Sequence, residues 1–119
     1  MSFSRTPRVI NRSVLVVRPK QPYVDWANSV DDDGSRADLA CLRKQPHAYL
    51  VEDIGLLDEF AQLVDDNWEP IFQEQLDVWM RDPECWPERL TREMFLEWFD
   101  CELCTMVWDM PKTRIKRLS

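Results

Sequence analysis

The apolar positions of the chain include three short, nearly continuous runs. Ser13–Arg18 is a β-branched run that ends at Pro19, and because every interior position is apolar it predicts a central strand buried on both faces. His47–Val51 predicts a second strand, and Cys101–Trp108, which ends before Pro111, predicts a third.

Between these runs, apolar residues recur every three or four positions, which is the period of a helix. Pro22–Val30 is predicted as a short helix with proline in its first turn. A longer pattern covers Leu56–Trp79, and we expect Pro70 to kink or break that helix. Thr91 is the expected N-cap of a last helix, which ends near Phe99.

This order of elements, β-α-β-α-α-β, predicts an α+β fold with a small three-stranded mixed sheet and helices packed mainly on one face. Both connections between strands exceed the dozen residues that parallel pairing needs, so parallel or mixed pairing is allowed. A chain of 119 residues is expected to form a single domain, 1–119, with a flexible arm at 1–11 and a basic tail at 111–119.

The ionisable residues are segregated along the chain, and their distribution says more than the formal net charge of −7. Residues 1–50 carry a net charge of +3, residues 51–110 a net charge of −14, and residues 111–119 a net charge of +4. Such an acidic body repels phosphate, so nucleic-acid binding is disfavoured. The acidic excess either keeps the protein soluble or forms a face that meets a basic partner, and the sequence leaves both interpretations open.

No apolar run approaches the roughly 20 residues that a membrane-spanning helix needs. The first residues also lack the apolar stretch of a secretory signal. We therefore expect a cytoplasmic protein with no membrane partner, whose four cysteines are thiols in a reducing compartment.

The residue types that usually carry catalysis or metal binding are scarce. Only two glycines are present, which nearly excludes glycine-rich phosphate loops. Cys101 and Cys104 have the spacing of a zinc knuckle, but three residues apart on a strand they would face opposite sides. The run Asp31–Gly34 lacks the carboxylate that a calcium loop needs at its last position. We therefore predict no cofactor, no metal ligand and no catalytic residue.

One acid-rich segment leaves an enzymatic interpretation open. Converging carboxylates can bind a divalent ion or exchange a proton, and four acids lie close together in the sequence: Glu97, Asp100, Glu102 and Asp109. His47 is the single imidazole of the chain. Together these residues define the alternative function, a metal-assisted hydrolase.

Six tryptophans are many for one small core. Trp79, Met80 and Trp86 flank a proline-rich turn, and tryptophan exposed beside methionine is typical of binding hot spots. We predict an interaction surface at these three residues, used by a partner or by a second copy in a homodimer. Packing in the core is the competing interpretation.

Two segments follow the residue order of a known family. The first is Val14–Trp26, and the second includes Trp86-Pro87, Thr91, Phe95, Glu97–Asp100 and Met106-Val107. They cover about a third of the chain and resemble the opening and closing segments of a family of small bacterial proteins with no established activity. The resemblance implies a fold and no catalytic residue.

The scarcity of catalytic groups, the segregated negative charge and the many tryptophans predict a small non-enzymatic protein-interaction module with an acidic, tryptophan-bearing surface. Its expected partner is an unknown protein or a second copy of the chain. The hydrolase is the alternative, and an inhibitor or immunity-type protein that binds a basic partner is a further interpretation.

Overall fold

The computed structural model describes residues 8–31, 36–53 and 59–118. Its strands are β1 (Arg8–Val9), β2 (Arg12–Pro19), β3 (His47–Glu52), β4 (Phe99–Cys104) and β5 (Trp108–Asp109). Its helices are α1 (Gln21–Val30), α2 (Leu39–Arg43), α3 (Phe60–Trp79) and α4 (Arg92–Trp98), with a 3-10 turn at Pro83–Cys85. Parts of three predicted segments lie outside the described residues: 1–7 of the arm, 32–34 of the aspartate run and 56–58 of the long helix.

The predicted α+β fold is confirmed, and its centre is a three-stranded sheet in the order β3-β2-β4. Both strand pairs are antiparallel, which corrects the prediction of a mixed sheet. β3 begins at His47 opposite Val17, and β4 begins at Phe99 opposite Pro19, so both start beside the end of β2. This antiparallel direction follows from the connecting helices. α1 and α2 leave the chain at the end of β2 where β3 begins, and α3 and α4 bring it back to that end before β4.

β2 is buried on one face only, although the sequence predicted burial on both. Its buried residues alternate with half-buried ones; the buried set is Ser13, Leu15, Val17 and Pro19. The described helices pack against this inner face. Val14 and Val16 lie on the opposite, outer face, together with Ala48 and Leu50 of β3. Antiparallel sheets of this kind commonly leave one face in solvent.

Two predictions about the helices have different outcomes. We predicted a kink or a break near Pro70; α3 is one continuous helix of 20 residues, so the break does not occur. Pro70 lies on the exposed side of the helix, as does Asp66, so the Asp66 carbonyl that loses its donor can be hydrated by solvent. The N-cap prediction is confirmed, because Thr91 Oγ1 accepts a hydrogen bond from the backbone N–H of Met94 at 3.1 Å.

The core lies between the inner face of the sheet and the helices. Phe72, Phe95 and Phe99 are fully buried, and their ring centroids lie 5.3–5.9 Å apart. The ring centroid of Trp98 lies 5.3 Å from that of Phe72, and the centroid of Tyr23 lies 5.5 Å from that of Phe99. Tilted and edge-on geometries of this kind are the favoured ones for aromatic pairs. A ring cluster from α1, α3, α4 and β4 therefore joins the helices to the sheet.

A second, two-stranded sheet extends the β2–β4 pair. β1 pairs with β5 in antiparallel fashion, and Val9 lies opposite Trp108. Between the two sheets the register shifts by one residue, because the four residues 10–13 face the three residues 105–107. Within this stretch the Ile10 N–H donates to the Val107 carbonyl at 2.9 Å. We call residues 8–10 with 105–110 the ribbon. The molecule is 56 Å long with a radius of gyration of 16.9 Å, against about 13.5 Å for a compact chain of this length.

None of the described helices is both long and apolar enough to cross a membrane. α3, the longest of them, carries five carboxylates and no basic residue. Residues 111–118, which follow the ribbon, are exposed and form neither helix nor strand.

Candidate interaction surface

The three residues predicted as an interaction surface lie at the corner between α3 and the 3-10 turn. Trp79 Nε1 donates to the Ala27 carbonyl at 3.0 Å, and Trp86 Nε1 donates to the Met80 carbonyl at 2.7 Å. Trp79, Met80 and Trp86 are half-buried and pack against the core. Their contacts hold the corner together. Binding of a partner by their remaining surface stays a prediction.

The other tryptophans divide into buried and exposed ones. Trp26 is buried and donates from Nε1 to the Cys85 carbonyl at 3.0 Å, while Trp68 and Trp98 are half-buried against the core. Trp108 is different, because 52% of it is exposed on the ribbon. The sequence placed Trp108 in a strand and did not single it out as a site.

The ribbon exposes four large apolar side chains. They are Val9, Met106, Trp108 and Met110, and each is between 44% and 62% exposed. Val9 and Trp108 are directly opposed across the two strands, which brings their side chains together. Exposed and half-buried residues alternate without interruption through residues 100–110. We call Val9, Met106, Trp108 and Met110 the ribbon surface. In the sequence, its signal was an apolar residue at every second position, at Met106, Trp108 and Met110.

The opposite end of β4 carries ion pairs on the outer face. Glu102 pairs with Arg18 at 2.9 Å, and Asp100 pairs with Arg43 at 2.8 Å and with Lys20 at 3.6 Å. The hydrogen bond from Arg43, with the nearby charge of Lys20, lowers the pKa of Asp100. These pairs tie the end of α2 to the sheet and leave the carboxylates at the surface.

The residues of the alternative hydrolase do not converge. His47 lies on the inner face of the sheet, whereas Asp100 and Glu102 lie on the outer face, since residues opposed across strands point to the same side. Glu97 is exposed near the end of α4, and Asp109 lies on the ribbon. Among the residues that the structure describes, no three His, Cys, Asp or Glu side chains are grouped so as to hold a metal ion.

His47 belongs instead to a polar network between β3 and α3. Its Nδ1 lies 3.1 Å from Glu74 Oε1, and the Tyr49 hydroxyl donates to Glu74 Oε2 at 2.9 Å. Gln75 Nε2 donates to the Tyr49 oxygen at 2.8 Å, and the Tyr23 hydroxyl donates to the Gln75 carbonyl at 2.7 Å. Burial, together with Glu74, raises the pKa of both tyrosines, so their hydroxyls remain donors at neutral pH.

A small cavity lies beside this network. It is lined by Tyr23, His47 and Gln75 among others, and its volume is about 60 Å³. A water molecule occupies about 30 Å³ in the liquid. The space therefore has room for water molecules beside the polar network.

The two closely spaced cysteines lie on opposite faces of the sheet. Cys101 is opposed to Val17 on the inner face, and Cys104 is opposed to Val14 on the outer face, where it is exposed. Burial, and then the charge of Asp100, raises the pKa of Cys101 to about 11. Their thiols therefore point away from each other and cannot share one ion.

Comparison of the chain with family models, with curated proteins and with solved structures finds no match. Its function is therefore inferred from the geometry described above. The resemblance to a family of small bacterial proteins stays a prediction.

Proposed function

We propose that this chain is a non-enzymatic protein-interaction module and that it binds its protein partner through the ribbon surface. The observation that carries the proposal is the exposure of Val9, Met106, Trp108 and Met110 on an extension of the sheet. Trp and Met are enriched in protein interfaces, and fully burying one large apolar side chain contributes about 1.5–3 kcal/mol.

The ribbon itself gains from being covered. β1 and β5 are each two residues long, and a two-stranded sheet of this kind is marginally stable in water by itself. A partner that packs on Trp108 would remove apolar area from solvent and order both strands. The acidic body, with five carboxylates and no cation on α3, favours a protein partner over a nucleic acid.

A photo-reactive amino acid at position 106 tests this proposal in the cells that make the protein. We expect a discrete covalent adduct with one protein, because Met106 is 62% exposed beside Trp108. Excess unlabelled chain should suppress an adduct with a different protein, and excess Trp108→Ser chain should suppress it much less. An adduct with a second copy should instead be lost when Trp108→Ser is made in the photo-reactive chain itself.

Val78 provides the matched control, since it is 59% exposed but lies on α3. The same photo-reactive residue at position 78 should give no adduct that the unlabelled chain suppresses. If positions 106 and 78 give the same products, or if the Trp108→Ser chain competes as well as the natural one, the ribbon surface is not the binding site.

Metal analysis of the purified protein separates this proposal from the hydrolase alternative. Stoichiometric zinc, manganese or iron that resists dialysis would contradict a module without chemistry of its own.

A further inference from the structure

The exposed side chains of β4, β5 and the tail follow a charge order along the chain. From Asp100 to Met110 every second residue is exposed, and these residues are Asp100, Glu102, Cys104, Met106, Trp108 and Met110. In the tail every residue from Pro111 to Leu118 is exposed, and these include the cations Lys112, Arg114, Lys116 and Arg117. The segment therefore starts with two carboxylates, continues with a thiol and three apolar side chains, and ends with three cations. We call residues 100–116 the graded segment.

A graded segment of this kind is complementary to a copy of itself that runs in the opposite direction. A two-fold axis near Met106 and Trp108 places the carboxylate end of one copy beside the cationic end of the other. The same operation stacks the apolar centres of both copies. Two-fold contacts use the same patch on both subunits and therefore close after two copies.

We propose that two copies of this chain associate through their graded segments, antiparallel, about a two-fold axis near Met106 and Trp108. This inference rests on the proposed function and names its partner, a second copy of the chain. It places the dimer contact at the ribbon, whereas the sequence predicted it around Trp79–Trp86.

The charged groups needed for this contact are accessible. The side chains of Asp100 and Glu102 are 49% and 61% exposed, even though Asp100 pairs with Arg43 and Lys20 and Glu102 pairs with Arg18. Surface pairs of this kind exchange partners at little cost. Within the described part of the chain, no ion pair involves the tail cations Lys112, Arg114, Lys116 or Arg117.

The backbone of the graded segment is also placed for such a contact. In the described ranges β4 is an edge strand of the three-stranded sheet, and β5 pairs with β1 alone. An edge strand presents N–H and C=O groups that another strand can pair with. The free edges of β4 and β5 therefore allow backbone pairing between copies, in the same antiparallel direction that the charges require.

Charge reversal tests the inference on the full chain in reducing buffer, with sedimentation velocity as the readout. We expect the natural protein to dimerise at low salt and the dimer to weaken as salt increases. Glu102→Lys should weaken the dimer about tenfold, because two symmetric attractions become repulsions. Lys112→Glu combined with Arg114→Glu should weaken it similarly.

The decisive step is to mix these two charge-reversed chains. The first chain then carries a cation at position 102 as well as those of the tail, and the second carries carboxylates at positions 112 and 114 as well as at 100 and 102. The two chains should therefore form a mixed dimer although neither dimerises well alone. Glu69→Lys changes the net charge by the same amount from an exposed position on α3 and should leave dimerisation unchanged.

A strict monomer at every concentration would overturn the inference, as would a dimer that Glu102→Lys affects no more than Glu69→Lys does. Failure of the two reversed chains to associate would overturn it as well. The proposed function survives each of these results if cross-linking from position 106 still captures a different protein in a Trp108-dependent way, so the two failures are distinguishable.

Discussion

Tryptophan has opposite surroundings in two regions of this molecule, the corner near the end of α3 and the ribbon. At the corner, three indoles each donate to a backbone carbonyl: Trp26 to Cys85, Trp79 to Ala27 and Trp86 to Met80. On the ribbon, Trp108 lies across from Val9 with half of its surface in solvent. Other elements of the fold cover the tryptophans at the corner, whereas no such layer covers the described ribbon. The presence of a covering layer therefore decides whether an aromatic residue contributes to the core or is available for an interface.

The largest expected effect contrasts the core with the ribbon. Phe72→Ala should cost about 3–5 kcal/mol of unfolding free energy, because Phe72 is fully buried among Phe95, Trp98 and Phe99. Trp108→Ala should cost less than about 1 kcal/mol in the monomer, since its ring is half exposed. Urea denaturation of both variants measures this, and similar losses would show that the ribbon belongs to the folding core.

A smaller effect is expected at the corner. Trp86→Phe should cost about 1–2 kcal/mol, because the Met80 carbonyl loses its donor in a half-buried position. Trp108→Phe is the matched change on the ribbon and should be nearly neutral for stability. If Trp86→Phe instead leaves stability unchanged and weakens self-association, the interaction surface predicted at Trp79–Trp86 is the correct one.

The smallest effect concerns the charged end of β4 and depends on pH. Asp100→Asn should cost less than about 1 kcal/mol at neutral pH, since the pairs with Arg43 and Lys20 are largely exposed. The folded-state pKa of Asp100 is lowered by these partners. Its contribution is therefore present above the ordinary value of about 3.9 and is lost as the pH falls through the folded pKa.

Denaturation of the natural protein and the Asp100→Asn variant at neutral pH and at about pH 2 measures this dependence. The difference in unfolding free energy should shrink at the lower pH. Asp77→Asn, at an exposed position on α3, is the control and should show a negligible difference at both. A difference that grows as the pH falls would contradict the assigned role of Asp100.

The local elements were largely predictable because their signals are contained in a few neighbouring residues. Three such signals correspond to observed elements: the β-branched run after Arg12 to β2, the spacing of three and four before Trp79 to α3, and the cap at Thr91 to α4. The helix does not break at Pro70, since proline disrupts a helix by an amount that depends on whether the freed carbonyl can reach water. That access depends on which side of α3 the rest of the protein covers.

The interaction surface was less predictable for the same reason. Trp79 and Trp108 have similar local sequence signals, namely a tryptophan that follows valine and lies within two positions of a methionine. Trp79 is partly covered because α1 lies beside the end of α3, and Trp108 has no such neighbour among the described residues. The residues next to either tryptophan in the sequence do not encode this placement.

By itself the sequence determined the α+β class, most helix and strand positions and the acidic body between more basic ends. Periodicity, capping and charge are properties of short segments, so they can be inferred from residue order alone. The tertiary structure decided the antiparallel direction of the sheet, the separation of His47 from the carboxylates on opposite faces, and the exposure of Trp108. These features depend on contacts between distant segments, and packing of the helices against a single face of the sheet established all three.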